Sequence, residues 1–105
     1  MGKGFSILEV EKIIEENISN ISLNGAFIAR QLDISRMQLH RKLIGFLGLN
    51  ARDYIKFKRI EKAKILLTEA NQPIYIISNQ TGFSSVAYFS KVFKETVGVN
   101  PSSFK

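Results

Sequence analysis

Residues 48–54 read GLNARDY and residues 98–104 read GVNPSSF, so a glycine, a branched apolar residue, an asparagine and, four positions after it, an aromatic ring return at a fixed offset of fifty positions. Carrying the offset backwards pairs Leu39 with Phe89, Leu43 with Phe93, Arg41 with Lys91, His40 with Ser90 and Met37 with Ala87. Apolar positions mostly meet apolar ones and basic meets basic, the pattern of a duplicated structural unit.

Outward from this repeat, helical periodicity covers nearly the whole chain, and no stretch alternates with period two over a useful length. Ser6 with Glu9 forms a capping box ahead of Val10, Ile13 and Ile14, which predicts a first amphipathic helix. Ser22 to Asn24 can cap a short helix from Ala26 to Leu32, and a turn follows at Asp33-Ile34. Ser35 with Gln38 is a second capping box; it opens a helix whose core stripe is read as Leu39, Leu43 and Phe46, stopped by Gly48. Asn50 caps a long helix to about Ala70, with Ile60, Ala63, Leu66, Leu67 and Ala70 as the buried stripe. Pro73 suits the first position of a short helix from Ile74 to Gln80. Gly82 supplies positive φ at the next turn, and a helix from about Ser85 to Val97 buries Phe89, Val92 and Phe93 before Gly98. A final turn at Asn100-Pro101 pins Phe104 to the core.

The expectation is an all-α chain of about seven helices: a lead-in helix within 1–21, a first helix-turn-helix over 22–50, a linker helix over 51–70 and a second helix-turn-helix over 71–105. The register is imperfect at the turns. Asp33 aligns with Gly82 at an offset of 49, so the second unit has one extra residue before its longer helix. Aspartate takes a left-handed conformation less readily than glycine, so the first turn is expected to be strained or built differently.

The chain has 105 residues and a net charge of +6, with 15 basic and nine acidic residues. Two of the basic and four of the acidic residues lie in the first twenty positions, making that stretch −2 and leaving +8 for the rest. So basic a body fits a polyanionic partner. The absence of cysteine excludes disulfides and thiolate metal sites, and no apolar run approaches the roughly 20 residues needed to span a membrane. A reducing cytoplasm and no membrane contact are expected.

If Leu39 and Leu43 face the core, the opposite face at the start of their helix presents Arg36, Met37, His40 and Arg41; the second unit presents Val86, Ala87, Ser90 and Lys91 in the same register. Two copies of a small helical unit suit a ligand that itself repeats, such as duplex DNA. In the major groove arginine can bridge guanine O6 and N7, while valine or alanine can touch a thymine methyl. The first unit is therefore the richer in hydrogen-bonding readers. A linker helix of twenty residues is about 30 Å long, near the roughly 34 Å between successive major grooves. Lysines and arginines along the linker helix, Arg52 and Lys56 first among them, are placed to meet phosphates, with Lys42 and Lys94 on the reading helices. The helix starts at Ser35, Asn50, Ser84 and Ser85 add backbone N–H donors for phosphate oxygens.

The stretch from Pro73 to Phe104, PIYIISNQTGFSSVAYFSKVFKETVGVNPSSF, resembles the signature of AraC/XylS-type transcriptional regulators, and SRMQLHRKL and YIKFKRIEKAKILL upstream are similar to that family's first reading helix and linker helix. The resemblance covers about residues 22 to 104. It implies a sequence-specific binder of double-stranded DNA that recruits RNA polymerase as an activator, with the eight residues above as base readers. The acidic lead-in EVEKIIEENIS is similar to segments preceding such domains in response regulators and hybrid sensor kinases, which implies a sensory or receiver portion in the full-length protein. Four positions depart from the family pattern: Asp33 replaces the usual turn glycine, Ala51 replaces a proline, and Val86 and Ala87 are apolar where polar readers often stand.

Other readings of single residues are weaker. His40 has no second histidine or cysteine to join in a metal site, Glu9, Glu11, Glu15 and Glu16 form a solvated helix face, and Ser84 and Ser85 are caps in a chain without a G-x-S-x-G or phosphate-binding glycine loop. Of Phe83, Tyr88, Phe89 and Phe93, helical spacing assigns most to the core and leaves Tyr88 open as a stacking ring. No catalytic residue, metal or cofactor is expected. The competing function is a helical protein-interaction module that has kept the fold without reading DNA, and a binder of RNA or single strands is a third.

Overall fold

Capping side chains and glycine stops punctuate the chain as the sequence suggests, and in the computed structural model, which describes residues 4–104, they delimit seven helices and no strand. These are α1 (Ile7–Glu16), α2 (Gly25–Leu32), α3 (Arg36–Leu47), α4 (Ala51–Glu69), α5 (Ile74–Gln80), α6 (Val86–Val97) and α7 (Pro101–Phe104). Both predicted capping boxes form. Ser6 Oγ accepts from the Glu9 N–H while Glu9 accepts from the Ser6 N–H, and Ser35 and Gln38 exchange the same pair of bonds at 3.0 and 2.8 Å. Each pair satisfies a backbone donor that the helix start cannot satisfy itself.

The chain divides into two compact units: residues up to Asn17 with Ser22–Lys56, and Ile18–Ile21 with Phe57 onward. In the first, α1 packs on α2 and α3, and α2 on α3. Its buried side chains are Val10, Ile14, Leu23, Ile28, Ala29, Leu39, Leu43, Tyr54 and Ile55. In the second, α5 packs on α6 and α6 on α7, around Ile60, Ala63, Leu67, Ile77, Phe83, Phe89, Val92 and Phe93. The phenyl rings there form a tilted series, Phe83 to Phe89 to Phe93 to Phe104, with centroids 5.1, 5.8 and 5.4 Å apart, the offset arrangement that aromatic quadrupoles favour.

The fifty-residue repeat is visible atom by atom. Gly48 and Gly98 both stop their helices at positive φ, and the Asn50 and Asn100 side chains accept from the Asp53 and Ser103 N–H groups at 2.8 and 3.0 Å. The Tyr54 and Phe104 N–H groups bond to the same two asparagines' carbonyl oxygens. The first copy continues as a nineteen-residue helix and the second as a single turn.

Several sequence expectations need correction. Phe46 is no core residue: it is 69% exposed, and its counterpart Thr96 is exposed too, so each of these helices buries its first two stripe positions and runs past the packed layer at the third. Leu66 and Ala70 are half-buried, and α4 ends at Glu69. Pro73 stands one position earlier than expected, as the N-cap of α5 at φ −60° and ψ 151°. Helix α2 begins at Gly25, one residue ahead of Ala26; an added Cβ there would come 3.1 Å from that of Ala51, a tight approach that glycine leaves open.

Candidate nucleic-acid interface

The turns that lead into α3 and α6 are built alike, contrary to the expectation that Asp33 makes the first one different. Asp33 adopts φ 55° and ψ 47°, and Gly82 adopts φ 80°. In the first turn the Ile34 N–H bonds to the Ala29 carbonyl at 3.0 Å and the Asp33 N–H to that of Arg30 at 3.2 Å. In the second, Phe83 bonds to Ser78 and Gly82 to Asn79, both at 3.1 Å. These i to i−5 and i to i−3 bonds close a helix end through a left-handed residue. Aspartate tolerates that region better than most residues, and Asp33 is exposed, so nothing crowds its side chain.

Beyond the turns the units differ. Ser35, the N-cap of α3, follows Asp33 by two positions, and Ser85, the N-cap of α6, follows Gly82 by three, which is the extra residue read from the sequence. Ser85 Oγ accepts from the Tyr88 N–H at 3.1 Å, and the Ser78 hydroxyl donates to the Ser85 carbonyl at 3.4 Å, tying α5 to the cap of α6. Ala29 stands at the corresponding place in the first unit and donates no such bond.

On α3, Arg36, Met37, His40 and Arg41 are all exposed on the side away from Leu39 and Leu43. Neither arginine is drawn into an ion pair among the described residues, so both guanidinium forks are available to an external acceptor. On α6, Val86, Ala87 and Lys91 are exposed and Ser90 is half-buried beside Phe89. Tyr88, left open by the sequence, is 46% exposed with its ring 5.9 Å from that of Phe83, while Phe83, Phe89 and Phe93 are core.

The groups expected to meet phosphates fall into distinct settings. Ser35, Ser84 and Ser85 are exposed at the starts of the two helices, although the Oγ atoms of Ser35 and Ser85 are occupied as caps. Asn50 caps α4; Arg52 is strongly exposed, 3.9 Å from the Asp53 carboxylate, a surface pair of small energetic weight. Lys94 is exposed and Lys56 half-buried. Lys42 has an unexpected setting: its Nζ lies 5.2 Å from the centroids of both the Phe5 and Phe46 rings, a double cation–π contact.

Sequence reasoning missed Arg59, one basic residue among several on the linker helix. Its Nε donates to the Ile18 carbonyl at 3.3 Å and its Nη2 to the Asn20 carbonyl at 2.7 Å. Burial lowers its pKa, and the Tyr88 phenol acts in the opposite direction. A signal was present: Arg59 precedes Ala63 by four and Leu66 by seven, at the edge of the buried stripe. Among the described residues no three histidine, aspartate or glutamate side chains cluster closely enough to hold a metal ion, and no helix is long and apolar enough to cross a membrane.

Comparison with known proteins adds to this geometry. The pattern of a helix-turn-helix domain matches residues 28–105. The Msm operon regulatory protein of Streptococcus mutans is 35% identical over 97 residues, which are 92% of this chain and 34% of that protein. The C-terminal domain of the two-component response regulator yesN from Fusobacterium nucleatum superposes with a TM-score of 0.82 at 32% identity, over 90% of this chain and 92% of that one. The C-terminal domain of AraT, a response regulator from Geobacillus stearothermophilus, does so with a TM-score of 0.87 at 28% identity, over 93% and 81%. The chain spans about a third of the length of the operon regulators it matches.

Proposed function

Since this chain belongs to the AraC-type helix-turn-helix family and is a DNA-binding domain of a transcriptional regulator, we propose that it binds double-stranded DNA sequence-specifically, with α3 and α6 as reading helices in successive major grooves. The observation that carries this reading is the exposed row of Arg36, Met37, His40 and Arg41 at the start of α3, whose counterparts on α6 are exposed Val86, Ala87 and Lys91 with half-buried Ser90. In such units the start of the second helix meets base edges. Arg36 and Arg41 read guanine, His40 and Ser90 hydrogen-bond, Lys91 adds charge, and Met37, Val86 and Ala87 touch apolar edges such as the thymine methyl. Ser35, Lys42, Asn50, Arg52, Lys56, Ser84, Ser85 and Lys94 are assigned to the phosphates on either side. A nineteen-residue α4 is about 28 Å long, a length in keeping with the roughly 34 Å repeat of the groove.

In the same reading the domain is the output of a longer cytoplasmic protein that activates transcription through RNA polymerase under control of a sensory or receiver portion. The support is its likeness to the C-terminal domains of response regulators. Titrating the chain into duplexes at several salt concentrations tests the binding mode. Affinity is expected to fall steeply and linearly on a log–log plot as counterions are released; binding that is absent or indifferent to salt overturns the proposal.

A further inference from the structure

Arg59 lies where several pieces of the second unit meet. Its guanidinium fork takes the carbonyl oxygens of Ile18 and Asn20, which hold the short Ile18–Ile21 segment in this unit. On the other side it abuts the turn: an added Cβ on Gly82 would stand 2.7 and 2.8 Å from Nη2 and Nε of Arg59 and collide with the Ile18 carbonyl oxygen. Past the turn, the Phe83 ring leans on Tyr88 in the first turn of α6. The two donors that matter here are spent on backbone oxygens inside the unit. A planar fork holding two carbonyls sets an angle as well as a distance, which a lysine ammonium cannot do.

We propose that Arg59 is a positioning residue for the second reading helix: by clamping the Ile18 and Asn20 carbonyls against the turn at Gly82 it fixes the direction in which α6 leaves that turn, and it contacts no phosphate itself. This rests on the reading of α6 as a DNA reader. The consequence is selective. Loss of the clamp loosens α6 and leaves α3 as it was, because the carbonyls Arg59 holds and the turn it abuts all lie in the second unit.

Arg59→Lys keeps the charge and removes the fork, and Arg59→Ala removes both. Without DNA, amide hydrogen exchange of Phe83, Tyr88 and Phe89 is expected to quicken about tenfold in Arg59→Lys, while Ile34, Gln38 and Leu39 keep their protection. With duplexes selected from a random pool by the unaltered chain, discrimination is expected to collapse for base changes in the half read by α6 and to persist in the half read by α3, with an unchanged salt slope. Exchange like that of the unaltered chain overturns the proposal, and so does a loss of protection spread over both units. A salt slope reduced by about one with protection intact makes Arg59 a phosphate contact instead. If the unaltered chain selects no duplex, the DNA reading fails, and the exchange measurement alone decides the clamp.

Discussion

The turn at Asp33 and the turn at Gly82 share their hydrogen bonds and their left-handed residue, yet one carries aspartate on the surface and the other a buried glycine. Backbone geometry alone therefore does not dictate the residue. At Asp33 the only penalty is the local one of an L-residue at positive φ, which aspartate bears at about 1 kcal/mol or less. At Gly82 the same φ is joined by a steric limit, because the Ile18 carbonyl and the Arg59 guanidinium fill the space a side chain would need. The glycine is required by its neighbours as much as by its own torsions.

The largest effect should come from putting a methyl group where the two turns differ. Gly82→Ala is expected to destabilise by about 3 kcal/mol or more, from positive φ and overpacking together, read as a drop in the urea midpoint; Asp33→Ala at the open turn should cost under about 1 kcal/mol. Similar losses at the two sites would dissolve the contrast. Next in size, Arg36→Ala or Arg41→Ala should relax base preference in one half-site by about 1 to 3 kcal/mol, while Val86→Ala should cost less than about 1 kcal/mol, the scale of a lost methyl contact. Competition binding with single-base variants would measure both, and equal losses from the two helices would remove the asymmetry between readers.

The N-caps should behave alike. Ser35→Ala and Ser85→Ala are each expected to cost about 1 kcal/mol, because each removes an Oγ that accepts a bond of similar length from a backbone N–H. Matched thermal unfolding of the two variants would confine the difference between units to the turns, and a clear gap would move it to the caps. Smallest of all, Asp33→Gly should stabilise by about 0.5 kcal/mol, since relief of positive φ slightly exceeds the added freedom of the unfolded chain.

Local chemistry was the legible part of this fold. The boxes at Ser6 and Ser35, the caps at Asn50 and Ser85 and the stops at Gly48 and Gly98 each depend on bonds within a few residues, so their sequence spacing is their geometry. The exposed face of α3 followed from helical period once Leu39 and Leu43 were assigned to the core. Phe46 was misread because periodicity fixes a direction around a helix and is silent about where the neighbouring layer ends. Lys42 meeting Phe5, and Arg59 reaching carbonyls 41 and 39 positions away, are tertiary contacts; helical period pairs Lys42 with Phe46 and sets Arg59 at the edge of the buried stripe, and it does not name those distant partners. The outcome at Asp33 went the other way: its misfit residue type suggested an altered turn, and the turn's own bonds prevailed.

The short Ile18–Ile21 segment also bears on how separable the parts of this protein are. The first unit is discontinuous in sequence, interrupted by four residues that belong to the second. A fragment starting at Phe57 would carry Arg59 without the Ile18 and Asn20 oxygens, leaving a half-buried guanidinium short of two acceptors and the space beside Gly82 unfilled. Cutting α4 is thus no clean excision, and a transplanted second unit should include residues 18–21, supplied in trans as a peptide or rejoined by a permuted chain.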